Sequence, residues 1–239
     1  MNQPKTVLLL NGSPKCETSN SRAIGKFLVS KLEEKGLESE EAFVVRLIKT
    51  PEGSEKLSRL LDNSDITIFT TPLYVDSVPS FTIKAMEIIK EHRKDLPQVE
   101  SQLLVAVMNC GFPEKEHMEI ALKIIHNFSQ EAKLRWGGSI SVGMGGALNG
   151  EPLKEGRGMT RNLTKGLSLA AAALAEDRSI PSEAEDLTSK PFLPLFLAKS
   201  MLRTFGKRMW NSQTIDSEIR EKMYARPYES PENTREAGN

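Results

Sequence analysis

An apolar run over residues 6–10 stops abruptly at Asn11-Gly12-Ser13-Pro14, and a helical pattern opens near Ser19-Asn20-Ser21. This is a buried strand feeding a hydroxyl-rich loop and then a helix N-terminus. The first N–H groups of a helix have no intrahelical partner, the helix dipole adds partial positive charge there, and serine and threonine hydroxyls donate to anionic oxygens. Lys15 contributes a cation, so a phosphate monoester is the natural guest. Taken singly, the serines and asparagines are equally well explained by turn and capping chemistry. The string matches neither Gly-x-Gly-x-x-Gly nor Gly-x4-Gly-Lys-Ser/Thr, which excludes the dinucleotide fingerprint and the triphosphate loop at this position.

The same alternation of strand and helix recurs down the chain. Ile24, Phe27, Leu28 and Leu32 recur at helical spacing, and Gly36 is placed to end that helix. Residues 41–48 read as a second strand broken by Pro51-Glu52-Gly53, and Leu57, Leu60 and Leu61 mark a short helix. Residues 66–71, rich in β-branched side chains, have the length of a buried third strand. They end in Pro72-Leu73-Tyr74-Val75, and Pro79-Ser80 opens a helix toward His92. A fourth strand over residues 103–108 gives way to Asn109-Cys110-Gly111-Phe112, and a helix carrying Ile120, Ile124, Ile125 and Phe128 comes next. A fifth strand, residues 138–143, stops in a glycine-rich run that extends to Gly150 and reads either as a close approach to substrate or as a crossover. Residues 160–177 form a last strong helix. Five strands alternating with helices predict an α/β fold with a parallel sheet and right-handed crossovers, and ligands in such sheets bind beyond the C-terminal strand ends.

The chain is neutral, with 32 basic and 32 acidic residues, so nothing in its charge argues for nucleic acid. Its apolar runs fall short of the roughly 20 residues that span a bilayer, and residues 1–10 lack a secretory pattern, so a cytoplasmic location is expected. Cys16 and Cys110 lack metal-site spacing, and His92, His117 and His126 do not cluster, so no metal site is predicted.

Asn11-Gly12-Ser13-Pro14-Lys15 with Ser19-Asn20-Ser21, followed by Pro72-Leu73-Tyr74 and Pro79 after the third strand, resembles the flavodoxin-like NAD(P)H-dependent FMN reductases. The resemblance runs to about residue 177, with Lys15 where many relatives have arginine. It implies a flavodoxin-like three-layer α/β/α sandwich with a five-stranded parallel sheet. It also implies FMN as cofactor, with its phosphate against Ser13, Lys15, Thr18, Ser19, Asn20 and Ser21. Pro72, Leu73, Tyr74 and Val75 then line the ring edge, and Asn109, Cys110, Gly111 and Phe112 approach from the neighbouring loop. Flavin N5 carries the chemistry and no protein side chain is assigned as catalytic. The implied reaction takes hydride from NADH or NADPH and passes electrons to a quinone, free flavin, nitro compound or other small acceptor, in a homodimer or homotetramer. A flavodoxin-type electron carrier between protein partners is the alternative, and a flavin-free interaction domain a third reading.

The domain boundary is expected after residue 178. Residues 179–239 read as a C-terminal extension: a polar, acidic linker over 181–186, a basic amphipathic helix over 191–210 and a polar tail. Packing of that helix on its own domain or a second subunit is favoured over contact with a membrane.

Overall fold

In the computed structural model, residues 4–193 are described except 98 and 157, together with Phe196, Ser200, Thr204 and Lys222. The sheet is built on β1 (Thr6–Asn11), in which Val7, Leu8, Leu9 and Leu10 are all buried. Burial on both faces is what a central parallel strand requires. Val7 and Leu9 join one apolar cluster while Leu8 and Leu10 join a second on the opposite face. β2 (Glu38–Phe43), β3 (Ile66–Pro72), β4 (Val99–Asn109) and β5 (Leu134–Val142) complete an all-parallel sheet in the order β2-β1-β3-β4-β5. After β2 the chain crosses back over β1, so strand order reverses between β1 and β3, the place where α/β sheets bind ligands.

Helices fill both faces. α1 (Asn20–Glu33) and α6 (Arg161–Ala175) cover the Val7/Leu9 side, where Ile24, Leu28 and Leu32 meet Leu163, Leu167 and Leu174. Each such side chain contributes about 1.5–3 kcal/mol by leaving water. α3 (Pro51–Asp62), α4 (Ser80–Arg93) and α5 (Glu119–Glu131) cover the other side through Leu57, Leu61, Ile89 and Ile125.

Two sequence readings are corrected. The second strand runs over Glu38–Phe43, and the expected strand residues from Val44 onward form a helical turn, α2 (Val44–Leu47). β2 is an edge strand with mostly exposed acidic residues, so its pattern is not apolar, whereas Val44 and Leu47, three apart, bury on one side as a helix dictates. Pro51 is the first residue of α3, where its missing N–H costs nothing, and the Thr50 side chain caps the helix by accepting from Gly53 N–H at 3.1 Å.

The segment read as a linker is instead helix α7 (Ser182–Thr188), with Ala184 and Leu187 buried. It packs so tightly on α6 that a Cβ on Gly166 would stand 2.8 Å from the Ala184 carbonyl oxygen. The first compact unit accordingly runs to Phe192. The expected amphipathic helix of residues 191–210 and the polar tail lie almost wholly outside the described residues. Among the described residues, no helix is long and apolar enough to cross a membrane.

Candidate functional site

Four strand ends, β1, β3, β4 and β5, meet at the C-terminal edge of the sheet. The β1 loop is organised by Asn11, which is fully buried. Its Oδ1 accepts from Ser13 N–H at 2.9 Å, and its Nδ2 donates to the Cys16 carbonyl at 3.1 Å and to Ser19 Oγ at 3.3 Å. Gly12 N–H donates to the Thr70 carbonyl at 2.7 Å, and a Cβ there would meet Thr82 Oγ1 at 2.8 Å, so the loop presses against β3 and α4. Ser19 caps α1 by accepting from Arg22 N–H at 3.1 Å while donating to the Cys16 carbonyl at 2.9 Å. The N–H groups of Asn20 and Ser21 fall in the first turn, where no intrahelical carbonyl reaches them.

The β3 loop is joined to β4 by Leu73 N–H donating to the Asn109 carbonyl at 2.9 Å. Tyr74 and Ser77 exchange backbone hydrogen bonds of 2.8 and 3.1 Å around Val75 and Asp76, whose φ values are +47° and +58°. Two consecutive left-handed residues make this a type I′ turn, a geometry that favours Asn-Gly and strains a β-branched valine. Val75 stands at its tip, 97% exposed.

Asn109, at the end of β4, is buried and donates from Nδ2 to Ser21 Oγ at 2.7 Å, tying β4 to the first turn of α1. Cys110 donates Sγ to the Phe112 carbonyl at 3.3 Å, and burial pushes its thiol above the ordinary cysteine range. The glycine-rich run after β5 closes the group by close backbone approach. Added Cβ atoms would meet the Pro113 carbonyl oxygen at 2.6 Å from Gly143, Asn109 Oδ1 at 2.7 Å from Gly145 and the Thr18 carbonyl oxygen at 2.3 Å from Gly150. Gly150 N–H also donates to Asn20 Oδ1 at 2.6 Å. The run is therefore the fourth wall of the site rather than a loose crossover.

Together these loops enclose a cavity of about 260 Å³. Ser13, Lys15, Ser19, Asn20 and Ser21 line it from the β1 side, Pro72, Leu73 and Tyr74 from β3, and Asn109, Cys110 and Gly111 from β4. Of the site residues expected from the sequence, Thr18, Val75 and Phe112 do not join this lining. Thr18 turns its hydroxyl back to the Lys15 carbonyl at 3.1 Å, and Phe112, 60% exposed, stacks on His117 with ring centroids 4.8 Å apart. Gly146 joins the lining although the sequence reading does not pick it out by itself; its signal is the glycine run that contains it.

Charge near the β1 loop is largely paired. Arg22 grips Glu41 through two bonds of 2.6 and 2.9 Å, and Arg46 meets Glu17 at 2.5 Å. A backbone hydrogen bond within its own turn, and then the Arg46 guanidinium, hold the Glu17 carboxyl below its usual range. Lys15 lines the cavity and pairs with no carboxylate among the described residues. A larger depression, about 860 Å³, lies between α3 and α4. Its walls are mostly lysine, arginine and glutamate side chains, and no strand end reaches it.

The strand order and the position of this cavity define a flavodoxin-like α/β domain. No protein-family model and no curated protein matches the sequence. Solved structures share the fold. An NADH:FMN oxidoreductase superposes with a TM-score of 0.53 at 14% identity, over 80% of this chain and 96% of its own. The NAD(P)H:quinone oxidoreductase from Methanothermobacter marburgensis gives 0.53 at 13% identity, over 73% and 96%. The azoreductase from Bacillus anthracis str. Sterne gives 0.50 at 10% identity, over 72% and 99%. The expected flavodoxin-like sandwich, with its five-stranded parallel sheet, is the fold observed.

Proposed function

We infer that this chain is a cytoplasmic FMN-dependent NAD(P)H oxidoreductase acting on a small acceptor such as a quinone, a free flavin or a nitro compound. The observation that carries the reading is the convergence, at the β1/β3 reversal, of a phosphate-type half-site with a more apolar half-site in one cavity. The first half comprises Ser13 and Ser21 hydroxyls, the Lys15 ammonium and the opening turn of α1. The second comprises Pro72, Leu73, Tyr74, Cys110 and Gly111. The names of the structural neighbours, an NADH:FMN oxidoreductase and an NAD(P)H:quinone oxidoreductase among them, support it at the level of fold.

The donor set fits the group. Hydroxyls, a cation and first-turn N–H groups suit a phosphate monoester, and Gly146 leaves open the space that a side chain would fill. When bound, FMN supplies the redox chemistry, accepting hydride from reduced nicotinamide and delivering electrons to the acceptor. The chain's own residues bind and orient. Ser13, Lys15 and Ser21 hold the phosphate, and Pro72, Leu73 and Tyr74 border the ring edge and keep water from it. A homo-oligomer completes the proposal.

Anaerobic mixing of the FMN-loaded chain with NADH and with NADPH tests it. Rapid bleaching of the flavin absorbance is the expected result. Flavin that dithionite reduces but neither nicotinamide reduces would instead favour the electron carrier, and a chain that takes up no FMN refutes both.

A further inference from the structure

Asn109 is in contact with every other wall of the cavity. Its Nδ2 donates to Ser21 Oγ at 2.7 Å, its carbonyl accepts from Leu73 N–H at 2.9 Å, and Gly145 packs against its side chain so closely that a Cβ would lie 2.7 Å from Oδ1. Both Asn109 and Ser21 are more than nine-tenths buried, at 6% and 1% exposure, yet both line the cavity. We propose that Asn109 is a positioning residue that acts through Ser21, holding the Ser21 hydroxyl as a proton donor to the phosphate monoester while locking the phosphate loop to the ring loop. This rests on the FMN reading.

Counting protons gives the direction of each bond. A serine hydroxyl has one proton and two acceptor sites, and an amide nitrogen offers only protons, so in the Asn109–Ser21 pair Ser21 must accept. Its own proton is left over. In a helix interior that proton would bond the carbonyl four residues back, but Ser21 is the second residue of α1, so that carbonyl, on Glu17, lies before the helix and accepts from Arg22 Nη1 at 3.4 Å instead. The cavity, shared with the first-turn N–H groups, is the direction that remains, and a donor aimed at an anion makes a charge-assisted bond.

Ser19 is the internal contrast. Its Oγ accepts from Arg22 N–H at 3.1 Å and from Asn11 Nδ2 at 3.3 Å, and its proton goes to the Cys16 carbonyl at 2.9 Å. Ser19 thus builds the loop, and Ser21 meets the ligand. The two serines are indistinguishable by residue type, and only their partners separate them.

The test is titration of the full-length, flavin-stripped chain with FMN and with riboflavin, which lacks the phosphate, followed by fluorescence quenching. Ser21→Ala is expected to weaken FMN about tenfold, the scale of one hydrogen bond to a charged group, and to leave riboflavin unchanged. Asn109→Asp, nearly isosteric, turns the partner into an acceptor that captures the Ser21 proton. FMN binding should fall by about thirtyfold or more, about tenfold from the captured proton and the rest from the new carboxylate near the phosphate, with riboflavin within about threefold. In the double variant the two FMN losses should not add, because both act through one proton. Ser19→Ala should lower the melting temperature while FMN and riboflavin affinities change together. Equal losses of both flavins in Asn109→Asp, or additive losses in the double variant, would overturn the proposal. If Asn109→Asp does not fold, Asn109→Ala, which removes the donor without adding charge, replaces it: a loss of FMN affinity with riboflavin unchanged supports the proposal, and equal losses of both flavins, or none, overturn it. A wild-type chain that binds FMN no better than riboflavin, or binds neither, overturns the phosphate reading itself and the proposal with it.

Discussion

Two glycines four residues apart in the same loop should respond to substitution in opposite ways. Gly150 has φ of +70°, and a Cβ on it would stand 2.3 Å from the Thr18 carbonyl oxygen. Gly150→Ala therefore forces a left-handed alanine, at about 1–2 kcal/mol, and an overpacked contact, at about 1–3 kcal/mol. Displacing the loop also lengthens the 2.6 Å bond from Gly150 N–H to Asn20 Oδ1, a further loss of about 0.5–1.5 kcal/mol. The sum is about 2.5–6.5 kcal/mol, which lowers the melting temperature of a domain this size by about 5–26 °C. Gly146 has no positive φ and nothing within 4 Å of an added Cβ. Gly146→Leu should melt within about 2 °C of the wild type, since a glycine replaced without strain also loses unfolded-state entropy. It places an isobutyl group in a cavity of about 260 Å³, and FMN affinity should fall at least about tenfold. Thermal melts by circular dichroism and FMN titration by fluorescence quenching read both effects. A Gly150→Ala chain that melts within about 2 °C of the wild type refutes the close approach, and a Gly146→Leu chain that binds FMN normally refutes the placement of the flavin.

The type I′ turn at Val75-Asp76 holds two non-glycine residues at positive φ, so the double substitution Val75→Asn, Asp76→Gly should stabilise the flavin-free chain by about 1–2 kcal/mol, seen as a raised melting temperature. Because burial raises the Cys110 thiol pKa, the folded state favours the neutral form. That contribution is complete below the unfolded value near 8.5 and is lost as pH rises through the higher folded value, so urea stability should fall more steeply above about pH 8.5 in wild type than in Cys110→Ala. On the opposite edge of the sheet, Arg93 is 1% exposed and donates to the Ala132 carbonyl at 2.7 Å and to Asp62 Oδ1 at 2.6 Å. Asp62→Ala would strand that charge. Since the Asp62 side chain is 32% exposed, the expected cost is about 2–3 kcal/mol in urea unfolding, below the full value for a buried pair.

The sheet was legible in the sequence wherever a strand is buried on both faces. Residues 6–10 and 66–71 read as strands and are strands, because two-sided burial demands a short run of apolar and β-branched side chains without a charged residue. Legibility failed at the margins. β2 carries exposed glutamates as an edge strand does, so the apolar residues just after it attracted the assignment, although Val44 and Leu47 belong to a helical turn. α7 shows an acidic outer face and an inner stripe of Ala184, Leu187 and Thr188, too short for a period to register. In both places the surface residues carry the composition, while a few buried contacts decide the structure.

The site divides along a different line. Residue types announce which loops bind, since serine, asparagine and lysine beside a helix start suit an anion whatever the details. They do not announce which groups are free to bind, because the same hydroxyl caps a helix or meets a ligand according to where its single proton goes. Ser19 and Thr18 bond within their own loop, at 2.9 Å to the Cys16 carbonyl and 3.1 Å to the Lys15 carbonyl, whereas Ser21 accepts from Asn109 and keeps its proton. That distinction depends on an asparagine 88 residues away in the chain, on another strand. Local reading therefore reaches the loop and stops. The assignment of binding atoms becomes possible only when the sheet has brought β4 against the first turn of α1, and it is there, in a buried amide with a fixed donor direction, that the proposed control over the ligand would be exerted.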